Sequence, residues 1–202
     1  DPARKTFGTY NWATVLRHEY THTVTLAATK NRIPHWFTEA CAVFEQPDRR
    51  GYGAVRQLVA ATRSGRLMPI KELDWGFIRP KKAGDRSQAY AQAEWVMEYI
   101  IATKGFETVP KMLQAFRAGK TQEQVLKETF GKSEKEFDKA FLAWAKEDVR
   151  RWGYNPDPPP DLKKATAAAK KTPKDAAAQA KLALAMLAQR QAGPAEATAR
   201  KA

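Results

Sequence analysis

Cysteine is all but absent from this chain, and the lone thiol, Cys41, excludes any disulfide within it, so packing and polar contacts must hold the fold together. Long apolar runs are missing too. Nothing approaches the roughly eighteen uncharged residues of a membrane span, and no secretory-signal pattern opens the chain. Acidic residues are in deficit, 22 against 35 basic ones, for a net charge of +13. That excess is spread, about +8 over residues 1–154 and +5 over the rest, and clusters such as Arg49-Arg50 and Lys81-Lys82 are short. No helix-turn-helix, zinc-finger or base-stacking signature accompanies it, so the charge reads as a solvated surface and nucleic acid is not the expected partner. Histidine is scarce as well: there are three in 202 residues, all between positions 18 and 35, a clustering that structural use of histidine does not require.

Two of them belong to His18-Glu19-Tyr20-Thr21-His22. On a helix, positions four apart lie about 40° from each other in projection and one turn apart along the axis, so both imidazoles can reach one ion. Glu19 projects about 100° from His18, close enough to hold a water beside that ion and take its proton. A catalytic zinc normally takes three protein ligands and keeps a fourth position open, so a third donor must come from elsewhere. Glu39, in the mostly apolar segment Ile33-Pro34-His35-Trp36-Phe37-Thr38-Glu39-Ala40-Cys41, is the best supplier. Pro34 suits the first turn of a helix. Cys41 is the rival ligand, and since positions two apart point about 200° from each other, only one of the pair can face the ion. His35 shares the face of Glu39, where it either touches the site or packs at the helix start.

HEYTH followed, after sixteen intervening residues, by the glutamate of WFTEACA resembles the gluzincin metallopeptidases, and most of all the zinc aminopeptidases and the smaller bacterial domains of that clan. In that family HExxH is completed by a glutamate on a second helix, and this pattern selects Glu39 over Cys41. Ala40 stands where the family usually has glycine. Further on, Ala89-Tyr90-Ala91-Gln92-Ala93-Glu94-Trp95 resembles the family helix whose tyrosine donates a hydrogen bond to the tetrahedral oxyanion, and Tyr90 is the matching position. The likeness runs over about residues 11–150. It implies a mainly α, zincin-like catalytic subdomain holding one zinc ion through His18, His22 and Glu39, with Glu19 and Tyr90 catalytic and a peptide or protein as substrate. The strand-rich subdomain that usually precedes the metal helix is expected to be missing or reduced, since only seventeen residues precede His18 and Asp1-Pro2-Ala3-Arg4-Lys5 reads as an internal cut. The family's small bacterial members are often exported or membrane-attached. A different class of function stays open, a non-catalytic interaction module with a structural or spent zinc, although a structural site has no use for Glu19.

Helical periodicity predicts a metal helix over 11–28, with Val15 and Leu26 on the ligand arc and therefore a buried face, and a glutamate helix over 34–46. Further helices are expected over 51–63, 86–103, 106–118, 121–129 and 133–148, the last opened by the capping box Ser133-Glu134-Lys135-Glu136. Residues 67–84, with Pro69, Gly76 and Pro80, read as a long loop over the site. Residues 1–154 form the metallopeptidase-like domain in this reading and 155–162 a stiff proline-rich linker. The remainder, 163–202, changes composition sharply, with 16 alanines in the last 38 residues, and reads as a helical hairpin similar to part of a tetratricopeptide repeat, a likeness that implies a protein partner.

Overall fold

The architecture follows from where helices find caps and where their apolar faces find partners. A computed structural model describes residues 11–48 and 50–200. The opening Asp1 to Lys5 stretch and Arg49 lie outside the described residues. Among the described residues there are helices and no strands, so the chain is mainly α.

Asn11 accepts a hydrogen bond from the Thr14 N–H and opens α1 (Trp12–Thr29), whose threonines 21, 25 and 29 each turn their hydroxyls back onto a carbonyl of the preceding turn. The second helix, α2 (His35–Phe44), is buried on almost every side. Its start is Pro34, which offers no side-chain cap, and the Asp74 carboxylate from a distant segment takes over by accepting the Trp36 N–H at 2.6 Å. Helix α3 (Tyr52–Ser64) ends at Gly65, whose φ of 65° is left-handed and suits a residue without a Cβ.

Residues 67–84 differ from the expected long loop. They contain a 3-10 turn (Ile70–Glu72) running into α4 (Leu73–Ile78). Tertiary partners override the breakers: Gln92 clamps both the N–H and the carbonyl of Met68, and Asp138 accepts the Ile70 N–H. Leu73 and Phe77 are buried. Gly76 sits mid-helix because a Cβ there would meet the Ala89 Cβ and the Met68 Sδ at 2.7 Å each. The long helix α5 (Asp85–Lys104) passes through the centre, packed on α2, α3 and α4. After it come α6 (Thr108–Arg117), α7 (Gln122–Phe130) and α8 (Glu134–Arg151), the last two opened by complete capping boxes at Thr121 and Ser133.

The core gathers Trp36, Phe37, Leu58, Trp95, Met97, Ile100, Phe116, Phe137 and Phe141. Trp95 stacks on Trp152 with ring centroids 5.0 Å apart and donates its indole N–H to Asp148. The Phe137, Phe141 and Trp144 stripe packs on Tyr99.

The buried face expected on α1 is a second difference. Thr25 and Thr29 are its buried residues, Leu26 is half-buried, and Val15 is 38% exposed. The two helices run antiparallel, with Thr25 beside Thr38, Arg17 beside Glu45 and Thr14 beside Asp48. Val15 therefore lies beyond the end of α2, where no helix among the described residues covers it.

The chain divides into two compact units after Pro156. The second contains α9 (Leu162–Lys171), α10 (Ala176–Ala188) and α11 (Ala192–Ala199), one helix more than a hairpin. Asp161 and Asp175 cap the first two, and Ala165, Ala169, Leu182 and Ala185 form a small core whose short side chains allow close approach. No helix among the described residues is long and apolar enough to cross a membrane.

Candidate metal centre

Antiparallel packing of α1 on α2 turns the histidine arc of one toward the single buried carboxylate of the other. His18 Nε2 and His22 Nε2 lie 3.1 Å apart. Glu39 Oε2 lies 3.4 Å from the first and 3.5 Å from the second. Donors about 2.0–2.1 Å from one tetrahedral ion stand about 3.3 Å from each other, so the three spacings suit a shared zinc. Glu39 Oε2 is buried and has no hydrogen-bond partner among the described residues, a costly arrangement that a cation would relieve. The residues fit the metal.

Burial sets the charge states. It lowers the pKa of both imidazoles from the ordinary histidine value, against a smaller upward pull from the Glu19 charge. Neutral imidazoles are the form that ligates, and their approach to Glu39 is convergence of donors rather than an ion pair. Burial pushes the Glu39 carboxyl up to about 7, the Glu19 charge adds to this, and a hydrogen bond with Tyr90 draws it back down.

Each ligand is backed by a second contact. His22 Nδ1 lies 2.8 Å from Thr38 Oγ1, which lies 2.7 Å from Thr25 Oγ1. His18 Nδ1 lies 2.7 Å from the Gln46 amide nitrogen. A half-turn of that amide presents its oxygen instead, the arrangement that suits ligation through His18 Nε2. His35 Nε2 stands 3.4 Å from the other carboxylate oxygen, Glu39 Oε1, and its ring meets Phe77 edge-on, which meets Tyr90 in turn. Tyr90 therefore reaches the site from α5, with its hydroxyl bonded to Glu39 and its pKa raised chiefly by burial. Glu19 is exposed on the open side of α1, close enough for its charge to act on His18, His22, Glu39 and Tyr90.

Cys41 is not with the ligands. It lines an apolar cavity of about 390 Å³ with Tyr20, Val24, Met97 and Leu113, and burial pushes its thiol up to about 12. None of His18, Glu19, His22 or Glu39 lines that cavity, although Thr25, which backs the His22 contact, borders it. The residues missed in the sequence are Thr25, Thr38, Gln46, Asp74 and Phe77. Thr38 had a faint signal, a polar residue next to the glutamate in an apolar helix; the others depend on pairings between distant segments.

Residues 3–147 match a family model described as the Peptidase MA superfamily. No curated protein and no solved structure matches.

Proposed function

Because the chain belongs to the Peptidase MA superfamily, we propose that it is a zinc metallopeptidase of the gluzincin type, in which His18, His22 and Glu39 hold one zinc ion and Glu19 is the general base. The single observation that carries this reading is the orphaned Glu39 Oε2 facing His18 Nε2 and His22 Nε2 at 3.4 and 3.5 Å. Zinc held there supplies a water acidic enough to ionise near neutral pH and polarises the carbonyl under attack.

The chain's own groups do the rest. His18 and His22, kept neutral by burial, offer their Nε2 lone pairs, and Glu39 offers Oε2. Glu19 projects beside them into solvent, where its carboxylate orients the attacking water, accepts its proton and delivers that proton to the departing amine nitrogen. Tyr90, its pKa raised, keeps its hydroxyl proton at neutral pH and is a hydrogen-bond donor for the oxyanion that forms at the attacked carbonyl. We assign this chemistry to residues 1–154 and read 155–162 as a linker to a helical segment, 163–202, that takes a protein partner in the manner of tetratricopeptide repeats.

Glu19→Gln is the test. It removes the base while leaving all three donors in place, so bound zinc stays at one per chain and cleavage of a mixed peptide pool falls by about two to four orders of magnitude. Undiminished cleavage by that variant would exclude the mechanism. Zinc uptake by both forms with no cleavage by either would favour the non-catalytic interaction module instead.

A further inference from the structure

The hydrogen bonds behind His22 run in one direction only. Thr25 Oγ1 has three hydrogen-bond neighbours among the described residues: the Thr21 carbonyl at 3.0 Å, the His22 carbonyl at 3.2 Å and Thr38 Oγ1 at 2.7 Å. Carbonyl oxygens only accept, and a hydroxyl has one proton to give. If Thr25 gave its proton to Thr38, its oxygen would face two carbonyl oxygens at close range with no proton between them. The Thr25 proton therefore points at the carbonyls, and Thr25 Oγ1 accepts from Thr38. Having donated to Thr25, Thr38 Oγ1 presents a lone pair to His22 Nδ1 at 2.8 Å, and that nitrogen must bring the proton.

We propose that Thr38, with its hydroxyl oriented by Thr25, is a positioning residue that locks His22 as the Nδ1–H tautomer and so keeps the Nε2 lone pair aimed at His18 and Glu39. The inference rests on the metal-site reading above. Thr25 and Thr38 are both buried. The contrast with His18 is instructive. Its partner Gln46 carries a donor and an acceptor on one rotatable amide and dictates neither tautomer, whereas the threonine relay ends on backbone and cannot be reversed. One ligand is preset and the other adapts.

The tautomer is readable directly. In chelator-treated protein carrying ¹⁵N-labelled histidine, at a pH where both imidazoles are neutral, long-range proton–nitrogen spectra should show His22 Nδ1 protonated and Nε2 bare. Thr38→Val should move His22 toward the Nε2–H form and weaken zinc binding, read by chelator competition, about 10- to 100-fold. Thr38→Ser, which restores the hydroxyl, should recover both. An Nε2–H tautomer of His22 in the unsubstituted protein would overturn the proposal, as would a Thr38→Val variant with unaltered tautomer and zinc affinity. Should Thr38→Val fail to fold, the spectrum of the unsubstituted protein decides alone. Failure of that protein to bind zinc would remove the metallopeptidase reading, and the same spectrum would still decide the role of Thr38.

Discussion

At the scale of single residues, Glu39 carries the largest electrostatic burden of the site. Its carboxyl is ordinarily half-ionised near 4.5 and is pushed up to about 7 by burial and by the Glu19 charge. The folded protein thus binds this proton more tightly than the unfolded chain, so the stability linked to Glu39 is complete below about pH 4.5 and is lost as pH rises through about 7. Glu39→Gln has nothing to ionise there. Under chelation, its stability relative to the unsubstituted protein should improve by about 2–3 kcal/mol between pH 4 and pH 8, measured by urea unfolding, while its zinc affinity collapses. Parallel pH profiles would show that Glu39 is not held in a desolvated site. Histidine spacing and the one carboxylate in an apolar helix were legible from residue types. The threonine relay was not, because Thr25 and Thr38 meet only through the register in which α1 and α2 pack.

Among the elements, α4 shows where local rules fail. Pro69, Gly76 and Pro80 are breakers in any linear reading, yet Pro69 precedes the 3-10 turn, Pro80 follows the helix, and Gly76 is there for space. The short helix matters to the site: Asp74 caps α2, and Phe77 fills the gap between His35 and Tyr90. At an open helical position Gly→Ala stabilises by about 1 kcal/mol. At Gly76 the added methyl meets Ala89 on α5, which cannot give way as the Met68 side chain can, so Gly76→Ala should instead destabilise by about 1–2 kcal/mol and lower Tm. A rise in Tm would mean that α4 does not press on α5. The exposed side of α1 has a related origin. Periodicity told which residues share an arc, and only the length of α2 told how far along that arc cover extends.

For the molecule as a whole, the metal-site helix α1 and the capped helix α8 were the most readable parts, since HEYTH and Ser133-Glu136 are written in contiguous residues. Helix α9 was the least readable, an alanine-rich segment whose burial of Ala165 and Ala169 depends on Leu182 and Ala185 arriving from α10. Peptidase chemistry in the first unit requires a zinc site assembled from two helices. Crystals grown with zinc and measured on either side of its absorption edge test this directly. The expected result is one strong anomalous peak per chain, bonded by His18 Nε2, His22 Nε2 and a Glu39 oxygen at about 2.0–2.2 Å. A peak elsewhere, or Glu39 turned away from the ion, would contradict it.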